Sequence, residues 1–373
     1  MNLTIGQRQQ IEEILVTICE QLEVSNTQYE DAKQKYGAVA KWLIVPGTSL
    51  YQYSTNIHPQ GSILLQTTVK PLGRDEFDVD LVCKLNISKG TSHAQVKEMV
   101  GARLRESKDY SEMLEPKNRC WRLNYAGAFH MDILPAIPDT VRGGTNILIP
   151  DSELKEWQES NPIGYAKWFE DCTKTARVLI FENMKKASVE NLPANDSLVK
   201  TPLQRVVQLL KRNRDIVFSK DKDNAPISII ITTLAARAYR GEIDLYKTIF
   251  NVISGMPAGI QIENGVPKVK NPTHEEENFA DKWEQDASLQ KTFFSWLENF
   301  KRDLAALPIG QGVQAVKDAL APMFGAKFME QVFERYAQKI ENQRQANRLH
   351  VSPTTGLLGA VGIKVPKNTF YGD

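Results

Sequence analysis

The 373-residue sequence is notable first for what it lacks. Its four cysteines, Cys19, Cys83, Cys120 and Cys172, are scattered, with no CxxC pair and no Cys/His ligand spacing. That excludes a disulfide frame and a zinc site, and it predicts reduced thiols in a cytoplasmic protein. No apolar run approaches the roughly 20 residues of a membrane span. The N-terminal stretch MNLTIGQRQQIEEIL lacks the charged-then-apolar pattern of a secretion signal. Charge of one sign is missing too: 46 basic against 45 acidic side chains leave a formal +1. Coating nucleic acid through bulk charge is thereby excluded, while a local basic groove is not. There is no internal repeat or low-complexity tract. What remains, 42% hydrophobic and 24% charged residues, describes an ordinary globular chain. At about 150 residues per domain, it has room for two or three.

Ile11, Ile14, Leu15, Ile18 and Leu22 recur at helical spacing and predict one long amphipathic helix over about 5–35. From Tyr51 to Asp139 the texture changes to short apolar or alternating runs. DVDLVCKL and FHMDILPAI read as strands, and SHAQVKEMVGARLRE (92–106) between them as a helix. RGGTNILIPD (142–151) reads as a turn-rich exit, and the run from Ser152 to Met184 as helical. A polar break at Pro193, Asn195, Asp196 and Ser197 predicts two domains, 1–192 and 193–373. Beyond it, Thr201, Pro202 and Gln204 mark a capped helix start, and PISIIITTLAARAY reads as a buried helix. GIQIENGVPKVKNP reads as a hairpin turning at Asn264-Gly265. Two more helices follow, one through Phe293, Trp296, Leu297, Phe300 and Leu304, the other near 326–345. The fold class is α+β: a mixed sheet with flanking helices, then a mainly helical domain.

The stretch PQGSILLQTTVKPLGRDEFDVDLV (59–82) carries the chemistry. On a strand, residues i and i+2 share a face, so Asp78 and Asp80 present two carboxylates together while Val79 and Leu81 enter the core. Two neighbouring carboxylates repel, and burial raises that cost. A divalent cation removes both penalties, and Mg²⁺ typically joins one or two carboxylates to substrate phosphates. Asp132, inside the apolar run HMDILPA, supplies a third strand-borne acid and completes a set suited to two metals. A DxD alone is common. Its apolar flanks, and Gly61-Ser62 upstream, turn it into a nucleoside triphosphate site. Gly61 permits a tight turn, and Ser62 is placed to cap a short helix over ILLQTT, exposing N–H groups to a phosphate. Asp75 and Glu76 read as a solvated lead-in, with the alternative that one of them stands just behind the metal ligands, and His130, on the face of Asp132, as structural.

This order of Gly-Ser, DxD and distant Asp resembles the polymerase-β-like nucleotidyltransferase superfamily. PQGSILLQTT, DEFDVDLVCKL, TPLQRVVQLLKRNRD, PISIIITTLAA and ENFADKW are similar to the bacterial cGAS/DncV-like nucleotidyltransferases, over about residues 40–340. The resemblance implies a polymerase-β-like core with a long N-terminal spine helix, closed by a helical domain. It implies that Asp78, Asp80 and Asp132 are catalytic and hold two Mg²⁺ ions, with Mn²⁺ as a substitute. It also implies that Gly61, Ser62, Lys211 and Ser228 contact nucleotide phosphates. The substrates would be ribonucleoside triphosphates such as ATP or GTP, joined into a cyclic di- or trinucleotide messenger for anti-phage defence. The residues leave two alternatives open: transfer to another acceptor (an antibiotic, a protein hydroxyl or an RNA end), or a non-catalytic nucleotide-binding scaffold. With no Cys/His cluster between the halves, the zinc ribbon of the animal DNA sensor is absent. Together with the neutral charge, this argues against activation by double-stranded DNA. The tail VGIKVPKNTFYGD reads as a flexible terminus. Its Tyr371-Gly372 resembles tails conjugated by ubiquitin-like machinery, which leaves an operon-encoded ligase or regulatory partner open, although Asp373 follows the glycine.

Overall fold

A computed structural model describes residues 4–73, 76–186, 200–346, 350–351, 358–359 and 363–365. The chain opens with α1 (Ile5–Gln21) and α2 (Asn26–Leu43). Each starts on a reciprocal capping box, Thr4 with Gln7 and Ser25 with Gln28. The second box is why the single helix expected over 5–35 is two: Ser25 leaves helical geometry to accept from the Gln28 N–H and restarts the chain in a new direction.

The sheet follows. A short strand β1 (Asn56–Pro59) and a single turn of helix α3 (Gly61–Leu64) lead into β2 (Phe77–Lys84). The chain then passes through α4 (His93–Arg105), α5 (Lys108–Met113), β3 (Leu114–Pro116) and β4 (Trp121–Tyr125) before β5 (Phe129–Pro138). Next come β6 (Ile147–Asp151) and β7 (Glu156–Ser160). The strand order is β1-β2-β5-β4-β3, with β6 joined to β5 and β7 to β6. Only β2 and β5 pair in parallel; the other pairs are antiparallel. The crossover through α4 supplies the long connection that a parallel pair requires.

Alternation divides the sheet into two faces. Phe77, Val79, Leu81 and Cys83 of β2, with Phe129, Met131 and Ile133 of β5, enter a core shared with Val39 and Leu43 of α2 and Val96, Val100 and Leu104 of α4. On the opposite face Val82, Leu134, Ala136, Ile147 and Ile149 form a smaller apolar cluster. The segment 142–151, expected as an exit loop, contains β6, and the expected helix from Ser152 begins only after β7, at α6 (Pro162–Lys186). Two signals set that start. Pro162 suits a first helical position, and the Asn161 side chain accepts from the Gly164 N–H at 2.9 Å.

The remaining elements are α7 (Pro202–Val217), α8 (Ser228–Ala238), α9 (Leu245–Gly255), β8 (Gln261–Glu263), β9 (Val266–Lys268), β10 (Lys270–Asn271) and β11 (His274–Asn278). After them come α10 (Lys282–Gln285), α11 (Ala287–Ala305), α12 (Val313–Phe324) and α13 (Ala326–Gln345). The β8–β9 hairpin turns as expected at Asn264 and Gly265, both at positive φ, 52° and 80°. Asn213 of α7 is buried and ties three helices together: it donates to the Met323 carbonyl of α12 and accepts from the Trp296 indole of α11.

Packing divides the chain into two compact units. One comprises Glu23–Cys172 and Lys270–Phe279, the other Met1–Leu22, Thr173–Val269 and Ala280–Asp373. The expected division at 192 put α1 with the sheet. Its buried stripe of Ile11, Ile14, Leu15 and Ile18 instead docks on α7, α9 and α13, so α1 belongs to the helical unit. The polar break at 193–197 and residues 366–373 of the tail lie outside the described residues. Among the described residues, no helix is long and apolar enough to cross a membrane.

Two glycines give the packing a direct check. A methyl added at Gly101 of α4 would sit 2.3 Å from a ring carbon of Trp121. Trp121 cannot swing aside freely, because its indole donates to the Lys97 carbonyl at 2.8 Å. Gly37 of α2 has open space at the same position. Gly101→Ala should therefore lower the unfolding free energy by about 1–3 kcal/mol. Gly37→Ala should leave it unchanged or raise it by up to about 1 kcal/mol, by removing helix entropy cost. Chemical denaturation of both variants measures the difference, and equal effects would contradict this packing.

Candidate active site

The parallel pairing of β2 with β5 sets the register that matters. Asp80 stands opposite Asp132, and Asp78 opposite His130. On the other side of β5, the antiparallel β4 sets Arg122 opposite Asp132 and Asn124 opposite His130. Directly opposed residues share a face, so all three predicted acids, with Arg122 and His130, stand on the side away from the main core. Three aspartates separated by as many as 54 positions in sequence thus meet on adjacent strands.

The charges on this face are partly compensated from within. Arg122 holds Asp132 in a two-pronged pair, Nε to Oδ1 and Nη2 to Oδ2, both at 2.7 Å. Its Nη2 also lies 3.6 Å from Asp78 Oδ1. His130 reaches the same Asp78 oxygen with Nδ1 at 3.8 Å and meets Glu76 Oε2 with Nε2 at 2.7 Å. Glu76 is therefore the one of the two lead-in acids seen beside the site, and its other oxygen accepts from the Gly127 N–H. Asp75 lies outside the described residues. Burial, and next the charge of Asp132, push the Asp78 carboxyl above its ordinary value, against the pull of Arg122 and His130. The side chain is nevertheless 57% exposed, so water screens much of that penalty. Cys120 nearby is pushed up to about 12, mainly by burial and then by Asp132, which makes it an inert neighbour rather than a nucleophile.

Gly61 approaches Asp80 so closely that a Cβ there would fall 2.3 Å from Asp80 Oδ2. Its φ of +64° also favours glycine. The Gln60 N–H donates to the Asp80 carbonyl at 2.9 Å and anchors the turn to β2. Ser62 departs from expectation. The helix is Gly61–Leu64, not ILLQTT, and its cap residue is Gln60, with no side-chain capping bond. The Ser62 hydroxyl instead shares a 3.2 Å hydrogen bond with the Thr68 hydroxyl, while its carbonyl accepts from the Thr67 N–H.

Lys211 and Ser228 belong to the helical unit. Lys211 is buried on α7, 6% exposed, and so is not a solvated helix end. Ser228 begins α8, where its hydroxyl accepts from Arg214 Nη1 at 3.0 Å and its carbonyl accepts from Thr232 Oγ1 at 2.8 Å.

The donor set suits a hard divalent cation, because the aspartates offer only carboxylate oxygens and their mutual repulsion is what such a cation relieves. Among the described residues, the one trio of acidic or histidine ligand atoms lying within 4.8 Å of one another is elsewhere, at Glu159, His274 and Glu276. There Arg142 already pairs with both glutamates and supplies the counter-charge. The three aspartates share a face without closing to that distance, which is consistent with like charges, one of them held by Arg122. Sequence reading did not find Arg122. The alternation in WRLNY marks it as outward-facing, but only the strand register shows which acid it opposes.

Residues 10–172 match the Second Messenger Oligonucleotide or Dinucleotide Synthetase domain. The c-di-GMP synthase of Roseivirga ehrenbergii is 32% identical over 379 residues, covering 100% of both chains. The cyclic dinucleotide synthase CdnG of Bradyrhizobium diazoefficiens is 22% identical over 377 residues, covering 93% of this chain and 88% of that one. The structure of the Bradyrhizobium diazoefficiens CD-NTase CdnG in complex with GTP has the same fold, with a TM-score of 0.71 at 20% identity over 88% of this chain and 99% of that one.

The electrostatics at Asp78 give a pH-dependent expectation. Its folded carboxyl holds a proton more tightly than the unfolded one, so ionising it costs stability as pH rises through the carboxylate range. Asp78→Asn should match the wild type below about pH 4. At pH 7, in EDTA, it should be more stable, by less than about 1 kcal/mol because the group is half exposed. Thermal unfolding across a pH series measures this. A variant less stable than wild type at pH 7 would contradict the charge balance described.

Proposed function

The chain belongs to the bacterial cGAS/DncV-like nucleotidyltransferases, enzymes that make cyclic oligonucleotides, and on that footing we propose that it condenses two GTP molecules into cyclic di-GMP. The guanine preference is supported by the full-length relative from Roseivirga ehrenbergii, a c-di-GMP synthase. The observation that carries the catalytic assignment is the β2–β5 register, which sets Asp80 beside Asp132 with Asp78 two residues away on the same face. The role of the product as a second messenger in anti-phage defence is part of this proposal and follows from the family resemblance.

In this reading Asp78, Asp80 and Asp132 hold divalent cations, Mg²⁺ by preference with Mn²⁺ as a substitute. Bound there, such ions would offset the triphosphate charge and acidify an acceptor ribose hydroxyl. The protein's own groups do the rest. Gly61 brings backbone against the Asp80 carboxylate, where a Cβ would fall 2.3 Å from Oδ2. Asp132 orients the acceptor hydroxyl and takes its proton as that oxygen bonds the α-phosphorus and pyrophosphate departs. A second transfer of the same kind closes the ring. His130, held by Glu76, stiffens the flank of Asp78. Positioning and charge compensation, more than covalent chemistry by the protein, lower the barrier. Ser62 at the phosphates, and Lys211 and Ser228 at the donor, are proposed from the resemblance.

The test is chromatography of products from all four ribonucleoside triphosphates with Mg²⁺. A phosphatase-resistant cyclic di-GMP peak from GTP alone is expected. Asp78→Asn combined with Asp80→Asn should fold and yield no product, and wild-type-like turnover by it would refute the assignment. Gly61→Ala should lower kcat/KM by about 100-fold, since displacements of about 1 Å cost that much. A strict requirement for an added non-nucleotide acceptor would overturn the cyclase reading.

A further inference from the structure

We propose that Arg122 is a positioning residue of this site: an internal counter-ion that holds Asp132 and competes for it with a divalent cation. The inference rests on the proposed metal role of Asp132 and adds a competitor for it from the same face of the sheet.

Three observations carry it. Both oxygens of Asp132 accept from Arg122, each at 2.7 Å, so a divalent cation there would have to share the carboxylate with the guanidinium. The guanidinium reaches beyond one partner, with Nη2 3.6 Å from Asp78 Oδ1, and so bridges two of the three acids. That is the position a metal ion would have to share. The pair is also sheltered, with Arg122 23% and Asp132 17% exposed, so water screens it less than a surface ion pair. Arg122 also stands opposite Glu115 of β3, whose carboxyl is lowered mainly by Lys117 and helped down by the Arg122 charge, but its two short hydrogen bonds go to Asp132. The apolar packing of β4 is done by Trp121 and Leu123, which point into the main core on the other face.

A planar fork of donors is well matched to a single carboxylate, but it is a monovalent charge. It can therefore keep the acids together in the empty enzyme without matching a divalent ion in the filled one. The competition is non-covalent: no covalent bond is made or broken, and the two N–H···O bonds from Arg122 would weaken if Asp132 turned to a cation. Arg122 thus sets the concentration at which metal enters, and it keeps Asp132 aimed on the shared face until then.

Mn²⁺ binding to the nucleotide-free protein, followed by electron paramagnetic resonance, tests this without depending on turnover. Arg122→Gln removes the competing charge and should bind Mn²⁺ about tenfold more tightly than wild type, a change of about 1.4 kcal/mol. Arg122→Lys, which keeps the charge but loses the fork, should fall between the two. If Arg122→Gln does not fold, Arg122→Lys decides alone. Affinity equal to or weaker than wild type in the folded variants overturns the counter-ion role. In that outcome, loss of Mn²⁺ binding by Asp132→Asn leaves the metal reading standing. Wild-type-like Mn²⁺ binding by Asp132→Asn instead overturns the metal role of Asp132 and this inference with it.

Discussion

Bringing three like charges to one face of a sheet is the constraint on which the rest of this structure depends. It is met by the register of the single parallel strand pair, β2 with β5. A strand's side chains alternate, so a slip of one residue would turn every outward acid into the core and every core residue out to water. The inward residues of both strands, Phe77, Val79, Leu81, Phe129, Met131 and Ile133, fix the register through their burial. Hydrophobic packing on one face therefore holds the electrostatic arrangement on the other. At about 1.5–3 kcal/mol for each large apolar side chain fully buried, the core strongly outweighs the repulsion among the acids.

That repulsion is then managed locally. Asp132 is held by Arg122, Asp78 is approached by both Arg122 and His130, and Asp80 lies against the backbone of Gly61. Arg122 is thus shared between two of the acids, with its two-pronged pair on Asp132. The Asp78 carboxyl stays above its ordinary value, an imbalance that an added cation would correct. In the Glu159–His274–Glu276 cluster a single guanidinium, Arg142, reaches both glutamates and also Asp139.

Much of this was legible in the sequence because it depends on local rules. The alternation in FDVDLVCK and the apolar flanks of Asp132 marked β2 and β5, and the box at Thr201 and Gln204 marked α7. The same rules explain two misreadings: Ser25 and Asn161 are helix-start residues hidden inside longer helical-looking runs. What could not be read was tertiary. The partner of Arg122 depends on strand register, the hydroxyl of Ser62 finds Thr68 only once the turn closes, and α1 joins the helical unit through contacts with α7, α9 and α13. The burial of Lys211 likewise comes from the packing around α7.

The claim that the β2–β5 register builds a metal centre is tested most directly by anomalous diffraction from crystals of the protein grown with Mn²⁺ and a non-hydrolysable GTP analogue. The structure predicts an anomalous peak ligated by Asp78, Asp80 and Asp132 together. Manganese found at Glu159, His274 and Glu276 instead, or no peak beside the three aspartates, would contradict it.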